Sequence, residues 1–190
     1  MEGLKKHWKN ILFFGFLLFM FTPAGMPIRA LLIKGVSYIT SRVENLEIDK
    51  QDRMTLQEWD WKLMDAQGNE VSLNMYKGKV LLINNWATWC PPCVAEMPSL
   101  QRLYDKYQGK VTFLFVAHDK PEKVKKFLEK NEMNIPVFYS MSPPASQLSS
   151  QSIPTTFIIN KQGEIVVRKT GAADWNSGQV HRILDKLIKE

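Results

Sequence analysis

The hydrophobic pattern divides the chain in two. Residues 10–28 carry no charge and are mostly Leu, Phe, Ile and Met, close to the roughly 18–20 residues a helix needs to span a bilayer. Lys5, Lys6 and Lys9 precede this run, a flank that keeps an N-terminus in the cytoplasm. The same features also describe a secretory signal: a basic start, an apolar core over residues 11–21, then the small residues Thr22-Pro23-Ala24, a poor cleavage site because of the proline. Residues 1–30 are therefore expected to be a transmembrane anchor, with a cleaved signal or a buried or interfacial helix as alternatives. Residues 31–53, mostly polar from Ser41 onward, are expected to be a juxtamembrane linker. Either main reading exports the rest.

Residues 54–190 alternate between strand and helix patterns. Residues 58–64 and 71–73 read as a hairpin around the turn-rich Asp65-Ala66-Gln67-Gly68-Asn69. Val80-Leu81-Leu82-Ile83 is a continuous apolar run, as in a strand buried on both faces, and residues 111–117 form a second. After Cys90, the residues Val94, Met97, Leu100, Leu103, Tyr104 and Tyr107 recur at helical spacing, with Pro98 expected to kink the helix. Residues 121–131 give another helix, with Val124, Phe127 and Leu128 inward, and residues 136–139 a short strand. Residues 155–160 and 164–169 are two strands around Lys161-Gln162-Gly163. The last helix starts with Asn176 or Ser177 as N-cap and turns Val180, Ile183, Leu184, Leu187 and Ile188 inward. Such an order predicts an α/β domain with a central mixed sheet covered on both faces, large enough for one hydrophobic core.

The net charge of +6 does not point to nucleic acid. Residues 1–53 hold eight Lys/Arg against five Asp/Glu, and the remainder holds seventeen against fourteen. The densest basic run, Lys123, Lys125, Lys126 and Lys130, is interleaved with Glu122 and Glu129, which reads as a solvated helix face.

The chain has two cysteines, Cys90 and Cys93. As a staple they achieve little, because closing so short a loop stabilises by only about 2 kcal/mol. Zinc usually needs four Cys/His ligands, and His7, His118 and His181 are scattered, so no metal or other cofactor is expected. Cys90-Pro91-Pro92-Cys93 stands where a buried strand meets a helix. A thiolate there faces unpaired N–H groups and the positive end of the helix dipole, so its pKa falls. The i,i+3 spacing brings the second sulfur onto the same turn, and Pro91 suits the first turn. Cys90 is thus expected to be the exposed attacking thiol and Cys93 the buried resolving one.

Residues 71–98, VSLNMYKGKVLLINNWATWCPPCVAEMP, with Ser152-Ile153-Pro154-Thr155-Thr156-Phe157, residues 160–163 and Gly171, resemble the thioredoxin-like group that includes the membrane-anchored TlpA and ResA proteins. The resemblance covers nearly all of residues 55–190. It implies a thioredoxin fold with an N-terminal hairpin, and thiol–disulfide exchange outside the cytoplasm through the Cys90–Cys93 disulfide. By the same resemblance Glu96 tunes the cysteines, with an ordinary first-turn carboxylate as the alternative. Pro154 is the cis-proline facing the redox pair, and Ile153 offers its backbone to an extended substrate. Trp89, Pro91 and Pro92 complete the substrate-contacting rim, with Trp86 and Asn84 structural beside it. Three positions depart from the pattern. Asn84 replaces the buried Asp of thioredoxin itself and cannot carry a proton. Asn85 replaces a usually apolar residue. Ser152 replaces a usual glycine.

These readings lead to an anchored reductase in the periplasm, or otherwise outside the cytoplasmic membrane, re-reduced by a membrane electron donor. It would open disulfides in exported proteins, with apocytochrome c as the substrate class that the resemblance suggests. The alternatives are a dithiol oxidase of the same fold, a thiolate site for a soft ion such as Cu(I), and a non-catalytic module with inert thiols. The usual Pro-x-x-x-Thr-x-x-Cys context of a thiol peroxidase is absent.

Overall fold

The computed structural model describes residues 46–190. The expected anchor and the linker up to residue 45 lie outside the described residues. Among the described residues no helix is long and apolar enough to cross a membrane.

One seven-stranded sheet organises the domain. Its strands are β1 (Lys62–Asp65), β2 (Glu70–Ser72), β3 (Leu81–Trp86), β4 (Thr112–Ala117), β5 (Val137–Ser140), β6 (Thr155–Ile159) and β7 (Ile165–Thr170). They lie in the order β2-β1-β5-β4-β3-β6-β7. The pairs β3–β4 and β4–β5 are parallel and the others antiparallel. Three helices complete it: α1 (Pro91–Tyr107), which runs through Pro98 as one element, α2 (Pro121–Lys130) and α3 (Gly178–Lys189). Ser177 is the N-cap of α3, its hydroxyl accepting from the Val180 N–H.

The connections β3–α1–β4 and β4–α2–β5 step the same way across the sheet. Right-handed crossovers therefore put both helices on one face. The packing agrees: Leu82, Trp86, Phe113, Phe115 and Ile158 form a single core with buried residues of α1, α2 and α3. Trp86 packs against Phe127 of α2 with ring centroids 5.5 Å apart. The alternate residues Leu81, Ile83, Leu114, Val116, Phe157 and Ile159 build a second core, closed by Leu56, Trp61, Leu73 and Leu148 from loops and short 3₁₀ turns. The strand period of two thus assigns each β3 residue a face. Asn84 turns toward the helices with Leu82 and Trp86, and Asn85 turns away with Leu81 and Ile83.

The hairpin begins later than its pattern suggests, at Lys62 rather than residue 58. The reason lies upstream. The Leu56 N–H donates to Gly163 O and the Ile165 N–H to Met54 O, so residues 54–56 line the β7 side of the sheet. β1 pairs with β5 near the opposite edge. Residues 57–61 must cross beneath the sheet, and they cannot also be a strand in it. Gly163, at φ +84°, permits this crossing, since a Cβ there would lie 2.9 Å from the Trp59 ring. Residues 46–53 reach back onto the same edge. Leu46 is buried, the Ile48 N–H donates to Val166 O, and Arg53 bonds Glu47 and the Ile48 carbonyl.

Candidate active site

The site forms where β3 ends. Cys90 is the N-cap of α1, and its sulfur accepts from the Cys93 N–H at 3.3 Å. Cys90 and Cys93 are joined as a disulfide, with Cα atoms 5.3 Å apart. The two are unequally covered: Cys90 keeps 4% of its surface in solvent and Cys93 none. Cys90 is therefore less open than its expected role suggests, because Ile153 and the first turn of α1 close over it. The Ile153–Pro154 bond is cis, and the Ile153 carbonyl oxygen lies 3.7 Å from Cys90 Sγ. Around this opening Trp89 is 64% exposed. Pro91 and Pro92 are exposed, Ile153 half-buried and Pro154 buried. These residues frame Cys90 with an apolar rim and one backbone carbonyl.

Beneath the disulfide lies a polar cluster inside the helical core. Glu96 is 2% exposed. Its Oε1 accepts from Asn84 Nδ2 at 2.9 Å, and its Oε2 accepts from Trp175 Nε1 at 2.8 Å and the Ala173 N–H at 3.1 Å. Burial pushes its pKa up to about 7, against the opposing effect of these three donors. A carboxyl at that value exchanges a proton at neutral pH. None of its hydrogen bonds goes to either cysteine. Asn84 Nδ2 also donates to Thr156 Oγ1 at 2.8 Å, whereas Asn84 Oδ1 and Trp86 Nε1 are buried without a partner among the described residues.

Asn85, the unexplained departure in the sequence, faces the other side and meets His118 Nε2 through its Oδ1 at 3.1 Å. Thr88, two residues before Cys90, donates its hydroxyl to Asp119 Oδ2, which holds the Asp119 carboxyl below its ordinary pKa. This contact ties the Trp89 turn to the end of β4. Trp175, Ala173 and Asp119 had no distinguishing signal in the sequence, and Thr156 stood out only as part of the run from Ser152 to Phe157. They become site residues only through contacts between distant segments.

Among the described residues no three His, Cys, Asp or Glu side chains converge as a metal set. The chemistry present is a disulfide at a helix N-terminus, a cis-proline loop with one carbonyl beside it and a buried carboxyl near neutrality. Residues 56–168, more than half of the chain, match the AhpC/TSA family.

The chain belongs to the AhpC/TSA family.

Within it, relatives carry the same chemistry in their names. The chain is similar to the thiol-disulfide oxidoreductase ResA of Bacillus cereus, 30% identical over 150 residues covering 77% of this chain and 82% of that protein. It is also similar to ResA of Geobacillus kaustophilus, 36% identical over 115 residues covering 59% of this chain and 66% of that one. The chain thus spans just under two thirds of the Geobacillus protein's length. Among solved structures it resembles a secreted thiol-disulfide isomerase from Corynebacterium glutamicum, with a TM-score of 0.61 at 23% identity, covering 79% of this chain and 96% of that one. That likeness supports the thioredoxin-like mixed sheet flanked by helices.

Proposed function

We propose that this AhpC/TSA-family chain is a thiol–disulfide oxidoreductase that reduces disulfides in exported proteins. The observation that carries the proposal is the placement of Cys90 Sγ between the Cys93 N–H and the Ile153 carbonyl. The first group stabilises a thiolate, and the second marks where a substrate backbone lies.

In the reduced protein the Cys90 thiolate attacks one sulfur of a substrate disulfide. The substrate S–S bond breaks, a Cys90–substrate disulfide forms, and the first substrate sulfur leaves as a thiolate that takes up a proton. Cys93 then gives up its proton and attacks Cys90 Sγ. The mixed disulfide breaks, the second substrate thiol is released, and the Cys90–Cys93 disulfide forms. Two electrons pass to the substrate. A dithiol donor at the membrane returns them by the reverse exchange. Glu96, one turn beyond Cys93 and titrating near neutrality, is the buried base for the Cys93 proton, and Asn84 holds it in place. Trp89, Pro91, Pro92, Ile153 and Pro154 receive the substrate, while Trp86 and Asn84 support the site from below.

Residues 10–28 support a membrane anchor with the domain on the periplasmic or outer side, and secretion after signal cleavage is the alternative. The resemblance to the TlpA and ResA group suggests apocytochrome c as the substrate class, by analogy alone. The mildly basic, charge-mixed surface gives no reason to expect nucleic acid as a partner.

Trapping with Cys93→Ser in the native host tests this reading. The variant stops at the mixed disulfide, so exported proteins accumulate on Cys90 and release on reduction. Recovery of none would refute the proposal. Wild-type cysteines that are mainly reduced in vivo support a reductase, and a mainly oxidised pair with reduced partners accumulating would make the protein an oxidase.

A further inference from the structure

The loop before Pro154 is held by a hydroxyl cluster on the sheet face away from the helices. Thr155 is fully buried, and its Oγ1 donates to Ser152 O at 2.8 Å. Ser150 Oγ lies 2.8 Å from both Ser152 O and Thr155 Oγ1, and it accepts from the Ser152 N–H at 3.3 Å. Thr170 Oγ1, across the β6–β7 pair, lies 3.2 Å from Thr155 Oγ1. The protons can be placed consistently. Thr155 gives its proton to Ser152 O, Thr170 gives its proton to Thr155, and Ser150 divides its proton between Ser152 O and Thr155.

The effect falls on the next peptide unit. Ser152 O is turned into the cluster, and Pro154 O is taken by the Gly171 N–H at 2.9 Å. Both carbonyls flanking Ile153 are therefore committed. The Ile153 N–H has no hydrogen-bond partner among the described residues, and its carbonyl faces Cys90 Sγ. Fixing the neighbours leaves the Ile153 donor and acceptor as the backbone pair not taken up by other main-chain groups beside the redox sulfur.

We propose that Ser150, Thr155 and Thr170 are positioning residues for polypeptide substrates, locking the Ser152 carbonyl inward so that Ile153 presents a rigid pairing edge to the chain being reduced. This rests on the exchange activity proposed above. A loose loop would have to be ordered on each binding event, a cost that falls on substrate binding. A small aryl disulfide makes no backbone pairing and does not need the edge. The hydroxyls therefore set the preference between the two substrate types.

The test compares kcat/KM on a disulfide-bonded peptide with kcat/KM on 5,5′-dithiobis(2-nitrobenzoic acid), using the full-length reduced protein. In Thr155→Val the peptide-to-aryl ratio falls about tenfold, carried by KM for the peptide, as expected from losing one to two net hydrogen bonds. Thr155→Ser restores the ratio, and Ser150→Ala, in the partly exposed loop, lowers it about threefold. Should Thr155→Val fail to fold, Ser150→Ala and Thr170→Val carry the same comparison. A ratio that stays within twofold of wild type in the folded variants overturns the proposal. Absence of exchange on both substrates in the wild-type protein refutes the activity instead.

Discussion

Glu96→Gln separates what burial does to this site from what hydrogen bonding does. In the structure the carboxyl is inside the helical core, and its pKa stands at about 7 against an ordinary 4.5. A carboxyl whose folded value is raised binds its proton more tightly in the folded state. It therefore adds stability that is fully present below about pH 4.5 and is lost as pH rises through about 7. At about 1.4 kcal/mol per unit, the two values set this loss at about 3 kcal/mol across that window. Glutamine keeps the shape and cannot ionise. Its oxygen replaces Oε2 as acceptor for Trp175 Nε1 and the Ala173 N–H. Its amide nitrogen replaces Oε1 and faces Asn84, which can rotate its amide to present Oδ1, an acceptor now unpartnered. Thr156 can then donate its hydroxyl to the same oxygen. The rotation moves the buried orphan from Asn84 Oδ1 to Asn84 Nδ2, a cost that acts on the variant equally at every pH and leaves the pH dependence as the readout.

The assay is urea denaturation from pH 4 to 8.5 with the disulfide intact, for wild type and variant. The variant is expected to lose most of the decline between pH 4.5 and 7, so that above pH 7.5 it exceeds the wild type by up to about 3 kcal/mol, less any difference in hydrogen-bond strength. Parallel curves would refute the reasoning, because they would mean that the buried carboxyl is not the group titrating in that range. With the dithiol protein, the same variant should flatten the pH dependence of turnover near 7 wherever loss of the Cys93 proton limits the rate.

Trp175→Phe removes the 2.8 Å donor that lowers the Glu96 pKa, so the midpoint of the same pH-dependent transition should move up; a downward movement would contradict the assigned sign. Arg53→Ala removes a side chain only 7% exposed that bonds Glu47 at 2.8 Å and the Ile48 carbonyl at 3.0 Å and lies 3.6 Å from Glu164. It should cost about 2 kcal/mol in urea denaturation and speed amide exchange at Ile48, whereas a change under about 0.5 kcal/mol would mean that residues 46–53 are not held by this contact.

The parts of the fold visible in the sequence are those decided locally. β3 and β4 read as buried because their residues are apolar on both faces, and α1 and α3 read from their apolar spacing. Ser177 and Asn176 were equally good caps until Val180 chose the serine. What was hidden depends on where segments travel. Residues 58–61 alternate like a strand, yet the attachment of residues 54–56 to one side of the sheet and of β1 near the other forces them to cross beneath it. Residues 46–53 look like solvated linker because their charges pair across sequence, Arg53 with Glu47 and Glu47 with Lys186. At the site, Cys90, Cys93, Glu96, Ile153 and Pro154 could be named from motif and resemblance. Trp175 could not, since its indole reaches Glu96 from 79 residues away. Asn85 looked anomalous because its partner, His118, lies across a parallel strand pair in a position that no periodicity marks.

The two readings of Glu96 in the sequence can now be weighed by magnitude. Glu96 is the sixth residue of α1 and lies past the first turn, which holds no acidic residue; the helix dipole, which favours a first-turn carboxylate by about 0.3–1 kcal/mol and would lower its pKa, falls off within that turn and gives it little. Removing the same group from water acts in the opposite direction, and three donors do not cancel it, because the value still rises to about 7. Burial therefore decides its protonation. Asn84 cannot hold the proton that an aspartate at that position would, and its two roles, donor to Glu96 and donor to Thr156, leave the titrating group on α1 rather than on β3. A carboxyl on the same helix as Cys93 stays in register with it whatever the sheet does. Its protonation is then set from outside that helix by Trp175, Ala173 and Asn84, so the loop before α3 and the end of β3 both bear on it.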